Sequence, residues 1–220
     1  MLNIKIVFQN ENFILVDKPA GMLSVPSRHM DTESRPVLGL LLKDQIRKPI
    51  IPVHRLDYEV SGLVLYALNP KAHTDANSWF AKKTVQKTYE ALSLLNPEYP
   101  IGSKHEWKCR LLRGKKRAYE HELGKASLTR AQVVSQLNFN GQNCLVWELT
   151  PLTGRAHQLR YEMYRHQCAI IGDALYGNQT AYKSNQIALK ATKIKFPDQA
   201  KALGLDGEYQ LESDFRSLIP

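Results

Sequence analysis

Changes in the rhythm of apolar and polar residues divide this chain into elements. The segment IKIVFQNENFILVDKP alternates and then turns apolar around Gln9-Asn10-Glu11-Asn12, which predicts two short strands joined by a polar turn. Pro19-Ala20-Gly21 ends the second of them. From SRHMD to RKPII, residues 27 to 51, loop and helix signals mix. Within that stretch VLGLLLKDQI suits about two to three helical turns, with Gly39 as its weak point. Leu63 to Leu68 is a continuous apolar run, the pattern of a strand buried on both faces, and Asn69-Pro70 stops it. Between Lys71 and about Thr84 the residues Ala72, Ala76, Phe80 and Ala81 recur at helical spacing.

KTYEALSLL reads as a further strand with Tyr89, Ala91, Ser93 and Leu95 on one side. RAQVVSQLNF and NCLVWELTP flank Asn140-Gly141, a hairpin signal whose connection is expected to exceed two residues. Thr153 is placed to cap a helix from near Arg155 to about His166. With no repeat, low-complexity linker or break, the economical reading is one α+β domain over residues 1–220.

Two positions break these patterns. In HRLDYEVSG, just before the apolar run LVLYAL, an extended chain puts Arg55 and Asp57 on one side and Leu56 on the other. Charges at the mouth of a buried strand are costly unless they pair or work. In TGRAHQLRYEMYRH, Ala156, Leu159, Met163 and Tyr164 define an apolar arc, and Arg160 falls inside it. A guanidinium aimed into a core cannot shed its proton and needs a carboxylate; otherwise it bends to the surface and buries only its stem. An Asp57–Arg160 pair would hold the aspartate ionised, ready to act as nucleophile or base, and could equally be structural.

Composition narrows the class. The 220 residues are 43% hydrophobic and 23% charged, ordinary for a folded globular chain. No apolar stretch approaches membrane-spanning length and the start lacks a secretory pattern, so a cytoplasmic protein is expected. Cys109, Cys144 and Cys168 are well separated and read as reduced, buried fillers. Thirty Lys+Arg against 21 Asp+Glu give +9, which favours a polyanionic partner.

FILVDKPAGMLSVP, HRLDYEVSGLVLYA, KTYEAL, TGRAHQLR and IIGDALYG, in this order, resemble the RluA-type pseudouridine synthases. The resemblance implies a pseudouridine-synthase-type catalytic domain: a mixed, mainly antiparallel sheet with flanking helices and a central RNA-binding cleft. It implies isomerisation of uridines in ribosomal or transfer RNA without metal or organic cofactor. Carried over by position, Asp57 is the catalytic aspartate, Tyr89 stacks on the target base, Arg160 salt-bridges the aspartate, and Arg55 helps flip the base. Val60 stands where Thr is usual, Ala156 where Thr or Ser is usual, and Lys190 where His is common. The chain is read as beginning at the catalytic domain, without the S4-type domain of many relatives, and as a monomer.

RNA affinity is then expected from the domain itself. RLLRGKKR holds Arg110, Arg113, Lys115, Lys116 and Arg117 around Gly114, and KATKIK adds Lys190, Lys193 and Lys195. Lys18 lines the RNA cleft or merely ends its strand. His54, His157 and His166 lack metal-like spacing and read as hydrogen-bonding scaffold. Asp173 reads as a turn-forming residue rather than a second catalytic carboxylate. Two other classes stand beside this one: a non-catalytic RNA-binding or RNA-folding module, and a glycoside or N-glycoside hydrolase, which would want a second carboxylate across the bond.

Overall fold

The computed structural model describes residues 4–27 and 34–215. The loop reading of SRHMD lies, apart from Ser27, outside the described residues. The chain separates into two compact units: Met1–Val85 with Ser184–Gln186 and Lys193–Leu211, and Gln86–Lys183 with Ile187–Thr192 and Glu212–Pro220.

In the first unit, β1 (Lys5–Gln9) and β2 (Phe13–Lys18) pair antiparallel. Their polar turn closes on a single side chain: Asn10 Oδ1 accepts from the N–H groups of Asn12 and Phe13 at 2.8 and 2.7 Å. The helix α1 (Leu38–Ile46) buries Leu38 and Leu42 and ends at Arg47, which takes a left-handed φ of 52°. The short β3 (Ile51–Pro52) pairs with the far end of β4 (Ser61–Ala67), which lies antiparallel to β2. All seven residues of β4 are buried, as its unbroken apolar run requires.

Asn69-Pro70 both ends that run and starts α2 (Pro70–Ala81): Asn69 Oδ1 accepts from Ala72 N–H, and Pro70 occupies the first turn. The buried face of α2 is Ala72, Ala76 and Trp79, not the expected Phe80 and Ala81. Phe80 is only partly buried, stacked on His54, and Ala81 is exposed. Trp79 joins Phe13, Leu15, Leu63 and Leu65 in the core, with Ile194 and Phe196 from the chain's return.

The second unit orders its strands β5-β9-β8-β6-β7. These are β5 (Gln86–Leu94), β6 (Lys104–Arg113), β7 (Ala118–Glu120), β8 (Lys125–Phe139) and β9 (Gln142–Pro151), each antiparallel to its neighbour. The strand β5 stops before Leu95, which is 42% exposed. Phe139 pairs directly with Gln142, so Asn140-Gly141 is a two-residue connection, shorter than expected. Both residues have positive φ, 51° and 78°, which matches the twist of the flanking strands in a tight hairpin.

The helix α3 runs from Gln158 to Arg165 and begins three residues later than the sequence suggested. His157 sits at φ 50°, outside helical space, and Thr153 does not cap. Its hydroxyl instead accepts from Leu128 N–H and bonds the side-chain carbonyl of Gln158. The chain returns through β10 (Leu189–Lys195), whose end pairs with β11 (Glu208–Gln210). The α+β class and mainly antiparallel sheet expected from sequence are borne out. No described helix is long and apolar enough to cross a membrane.

Candidate active site

The HRLD segment is an irregular loop leading into β4, fixed by hydrogen bonds of Ser24, His54 and Gly21. Leu56, buried, is held at both backbone groups by Ser24: its N–H donates to Ser24 Oγ at 3.0 Å, and Ser24 Oγ donates to its carbonyl at 3.1 Å. His54 Nε2 accepts from Leu65 N–H, which fixes the neutral ring with its proton on Nδ1. The Tyr58 carbonyl accepts from Gly21 N–H, and Val60 N–H closes a turn onto the Asp57 carbonyl. Burial follows the predicted alternation: Arg55 exposed, Leu56 buried, Asp57 half-buried. Val60 is buried and fills a core position, consistent with its apolar substitution for Thr.

Lys18 neither sits loosely at a strand end nor presents its charge to solvent. It is fully buried, and its ammonium donates to the carbonyls of Pro19 and Met22 at 2.9 and 2.7 Å, and to that of Tyr58 at 3.4 Å. Three carbonyls converge on three N–H donors. Burial pushes Lys18 down to about 8, against the opposing attraction of the Asp57 and Glu59 carboxylates. The carbonyl beside Asp57 is therefore tied to the end of β2.

In the second unit Tyr89 lies on β5 opposite Leu149 and is 9% exposed. Arg160 is 2% exposed, so the snorkelling alternative is excluded. The arc around it differs in detail: Leu159 and Met163 are buried, Tyr164 is 43% exposed, and Ala156 precedes the helix. A carboxylate that satisfies Arg160 is Asp173: Nε and Nη2 donate to its two oxygens, each at 2.7 Å. The side chains are 3% and 0% exposed. Asp173 also begins a short 3-10 turn, Ala174–Tyr176, so its turn-forming role is real but incomplete. The Tyr176 ring lies 5.5 Å from the Arg160 guanidinium carbon, within cation–π range.

Sequence reasoning missed Glu162, whose side chain is fully buried on the same helix. It accepts from Arg165 Nε at 2.7 Å and from Cys109 Sγ at 3.0 Å. Burial and this hydrogen bond push the Cys109 thiol up to about 12, and burial pushes Cys168 up to about 11, so neither is a ready nucleophile. His166 stacks on Trp107 at 4.5 Å and is pushed down to about 4 by burial and by Arg165 and His105.

Arg110, Arg113, Lys115, Lys116 and Arg117 are all exposed on the β6–β7 hairpin. Gly114 N–H bonds the Arg117 carbonyl across the turn, and a Cβ at Gly114 would stand 2.7 Å from that oxygen. Only glycine closes this loop, which carries its cations on the outside. Two of the three KATKIK cations are otherwise engaged: Lys190, 8% exposed, meets Asp214 at 2.6 Å, and Lys193 meets Glu208 at 3.2 Å, while Lys195 is exposed. Among the described residues no group of three or more His, Cys, Asp or Glu is arranged to hold a metal.

Residues 12–165 match the family model described as RNA pseudouridylate synthase, a span that holds HRLD, KTYEAL and TGRAHQLR. The chain belongs to this family. It is 32% identical over 202 residues to the dual-specificity RNA pseudouridine synthase RluA of Vibrio vulnificus, covering 87% of this chain and 77% of that one. It is 29% identical over 210 residues to tRNA pseudouridine synthase C of Vibrio parahaemolyticus, covering 89% and 85%. Human RNA pseudouridylate synthase domain containing 1 shares the fold, with a TM-score of 0.74 at 24% identity over 98% of this chain and 93% of that one. As a family member the chain is an isomerase, and the family's reaction converts uridine in RNA to pseudouridine.

Proposed function

We propose that this chain converts particular uridines of structured RNA, ribosomal or transfer, to pseudouridine, with Asp57 as the nucleophile or base. In the reaction the N1–C1′ bond breaks, the held uracil turns, and a C5–C1′ bond forms. C5 loses its proton and N1 gains one, so no oxidant, metal or cofactor enters the balance. Tyr89 offers the flat face on which the base stacks, worth about 1–3 kcal/mol. Arg55, exposed beside Asp57, serves the extraction of the base from its stack. Arg160 acts as the cation for Asp57; two of its five N–H donors go to Asp173, and a guanidinium can serve a second carboxylate with the others. We take residues 1–220 to work as one catalytic domain. We take the working species to be a cytoplasmic monomer.

The observation that carries this reading is the family match over residues 12–165, a span that includes Asp57, and the loop of Asp57 braced by Ser24, His54 and Lys18 supports it. Incubation with unmodified ribosomal and transfer RNA should yield pseudouridine at defined sites, and Asp57→Asn should yield none. Equal conversion by the variant would overturn the assignment of Asp57. No conversion of any RNA by the parent would favour a binding module on the same fold.

A further inference from the structure

The strand β7 is three residues long and ends its unit's strand order, so its outer backbone groups need partners other than a further strand. Its first residue, Ala118, closes the basic hairpin opposite Arg113 and is 2% exposed. Both of its backbone groups are met by one phenol. Ala118 N–H donates to Tyr176 Oη at 2.8 Å, and the Tyr176 hydroxyl lies 3.2 Å from the Ala118 carbonyl, to which it donates. His157 Nδ1 lies 3.2 Å from the same oxygen. Tyr176 is itself 1% exposed, and the face of its ring lies against the guanidinium that Asp173 grips. One buried side chain thus touches the foot of the basic hairpin with its oxygen and the Arg160 cation with its ring.

We propose that Tyr176 is a positioning residue with two separable roles in RNA isomerisation: its hydroxyl sets the basic hairpin for the phosphates, and its ring seats Arg160. This rests on the isomerase reading above. A hairpin held at Ala118 presents Arg113, Lys115, Lys116 and Arg117 without first having to be ordered, which lowers the entropy lost on binding. The ring holds a planar cation by its face while Asp173 holds it by its edge, so the arginine is fixed in two directions.

The test uses the full chain, an unmodified transfer RNA transcript or large-subunit ribosomal RNA fragment, and two measurements: equilibrium RNA affinity, and single-turnover pseudouridine formation at saturating RNA. Tyr176→Phe keeps the ring and should weaken RNA binding by a factor of roughly 2 to 10, the range for one net hydrogen bond, while leaving the saturated rate unchanged. Tyr176→Leu should lose the same affinity and also slow the saturated rate. Adding Tyr176→Phe to a chain carrying Lys115→Ala, Lys116→Ala and Arg117→Ala should cost less affinity than it does in the parent, because the hydroxyl acts through those cations and Arg113. The proposal is overturned if Tyr176→Phe leaves affinity intact, if its loss adds in full to the triple variant, or if it slows the saturated rate as much as leucine does. If the leucine variant does not fold, the phenylalanine variant and its combination with the hairpin changes decide the hydroxyl's role, and Tyr176→Met takes the place of leucine for the ring: a saturated rate equal to the parent's would overturn it. A parent chain that binds RNA but forms no pseudouridine would sink the isomerase reading alone, and the affinity arm would still judge the hydroxyl.

Discussion

Replacing Asp173 with alanine removes one half of an ion pair whose side chains are 3% and 0% exposed and whose two hydrogen bonds are each 2.7 Å. Surface pairs contribute at most about 1 kcal/mol, but breaking a buried, hydrogen-bonded pair costs about 3–5 kcal/mol, because the surviving charge loses a partner it cannot exchange for water. For a chain of this length about 2–4 °C accompanies each kcal/mol, so the melting temperature should fall by roughly 6 to 20 °C. Asp173→Asn keeps the shape and one acceptor and should fall at the low end. Equilibrium urea unfolding at pH 7, followed by tryptophan fluorescence, suits the measurement. Trp107 and Trp147 are 4% and 0% exposed in the same unit as the pair. The companion variant Arg160→Met with Asp173→Leu should recover most of the loss, since a well-packed apolar pair replaces buried charges at little cost. A loss below about 1 kcal/mol for Asp173→Ala, the value of an exposed pair, would refute the claim that this contact anchors the arginine.

Lys18 gives a pH signature with a definite sign. Its folded value near 8 lies below the ordinary 10.5, so between those pH values the unfolded chain holds a proton that the native chain has released. Stability from this group therefore rises from pH 8 to 10.5, by about 3 kcal/mol, and Lys18→Met should lack the rise when the two unfolding curves are compared; parallel curves would contradict it. The hairpin cations predict a salt effect: removing Lys115, Lys116 and Arg117 together should lower the slope of log affinity against log salt by up to about 3, and an unchanged slope would place the phosphates elsewhere.

Much of this was legible in the chain because it depends on local periodicity. The all-buried β4 follows from an unbroken apolar run, and the burial of Arg160 follows from its place in a helical arc. What escaped depends on side chains acting at a distance. Gln158 spends its amide on the Leu128 carbonyl and the Thr129 hydroxyl, and its carbonyl oxygen accepts from Thr153 Oγ1 and Arg155 N–H. This ties residues 153–157 to β8 and delays α3 beyond the point its composition suggests. The pairing of Arg160 with Asp173 spans 13 residues of sequence and a turn, and periodicity carries no trace of it. The signal was nevertheless present, since an arginine in a core demands a carboxylate and Asp173 follows two apolar isoleucines. Glu162 was passed over for the opposite reason: a glutamate on a short polar helix is ordinarily at the surface, and only the thiol of Cys109 and the guanidinium of Arg165 make its burial tolerable.

The placement of these two acids bears on catalysis. An isolated helix of eight residues is marginal in water, so the orientation of α3 comes from what its side chains hold. Residues 160 and 162 are two apart and point to nearly opposite sides of the helix. On one side Arg160 is locked to Asp173; on the other Glu162 is locked to Cys109, with Arg165 reaching on to the Lys108 carbonyl at 2.9 Å. A helix fastened on both flanks by buried charge cannot rotate without breaking one set of bonds. If Arg160 serves the reaction as proposed, its guanidinium is thereby aimed before any RNA arrives, and a charge already in place stabilises developing charge without the reorganisation that water would need. The buried ions of α3 contribute modestly to net stability and chiefly to direction. Substitutions at Glu162 or Cys109, remote from the uridine on this reading, should for that reason act on the isomerisation rate through the aim of Arg160.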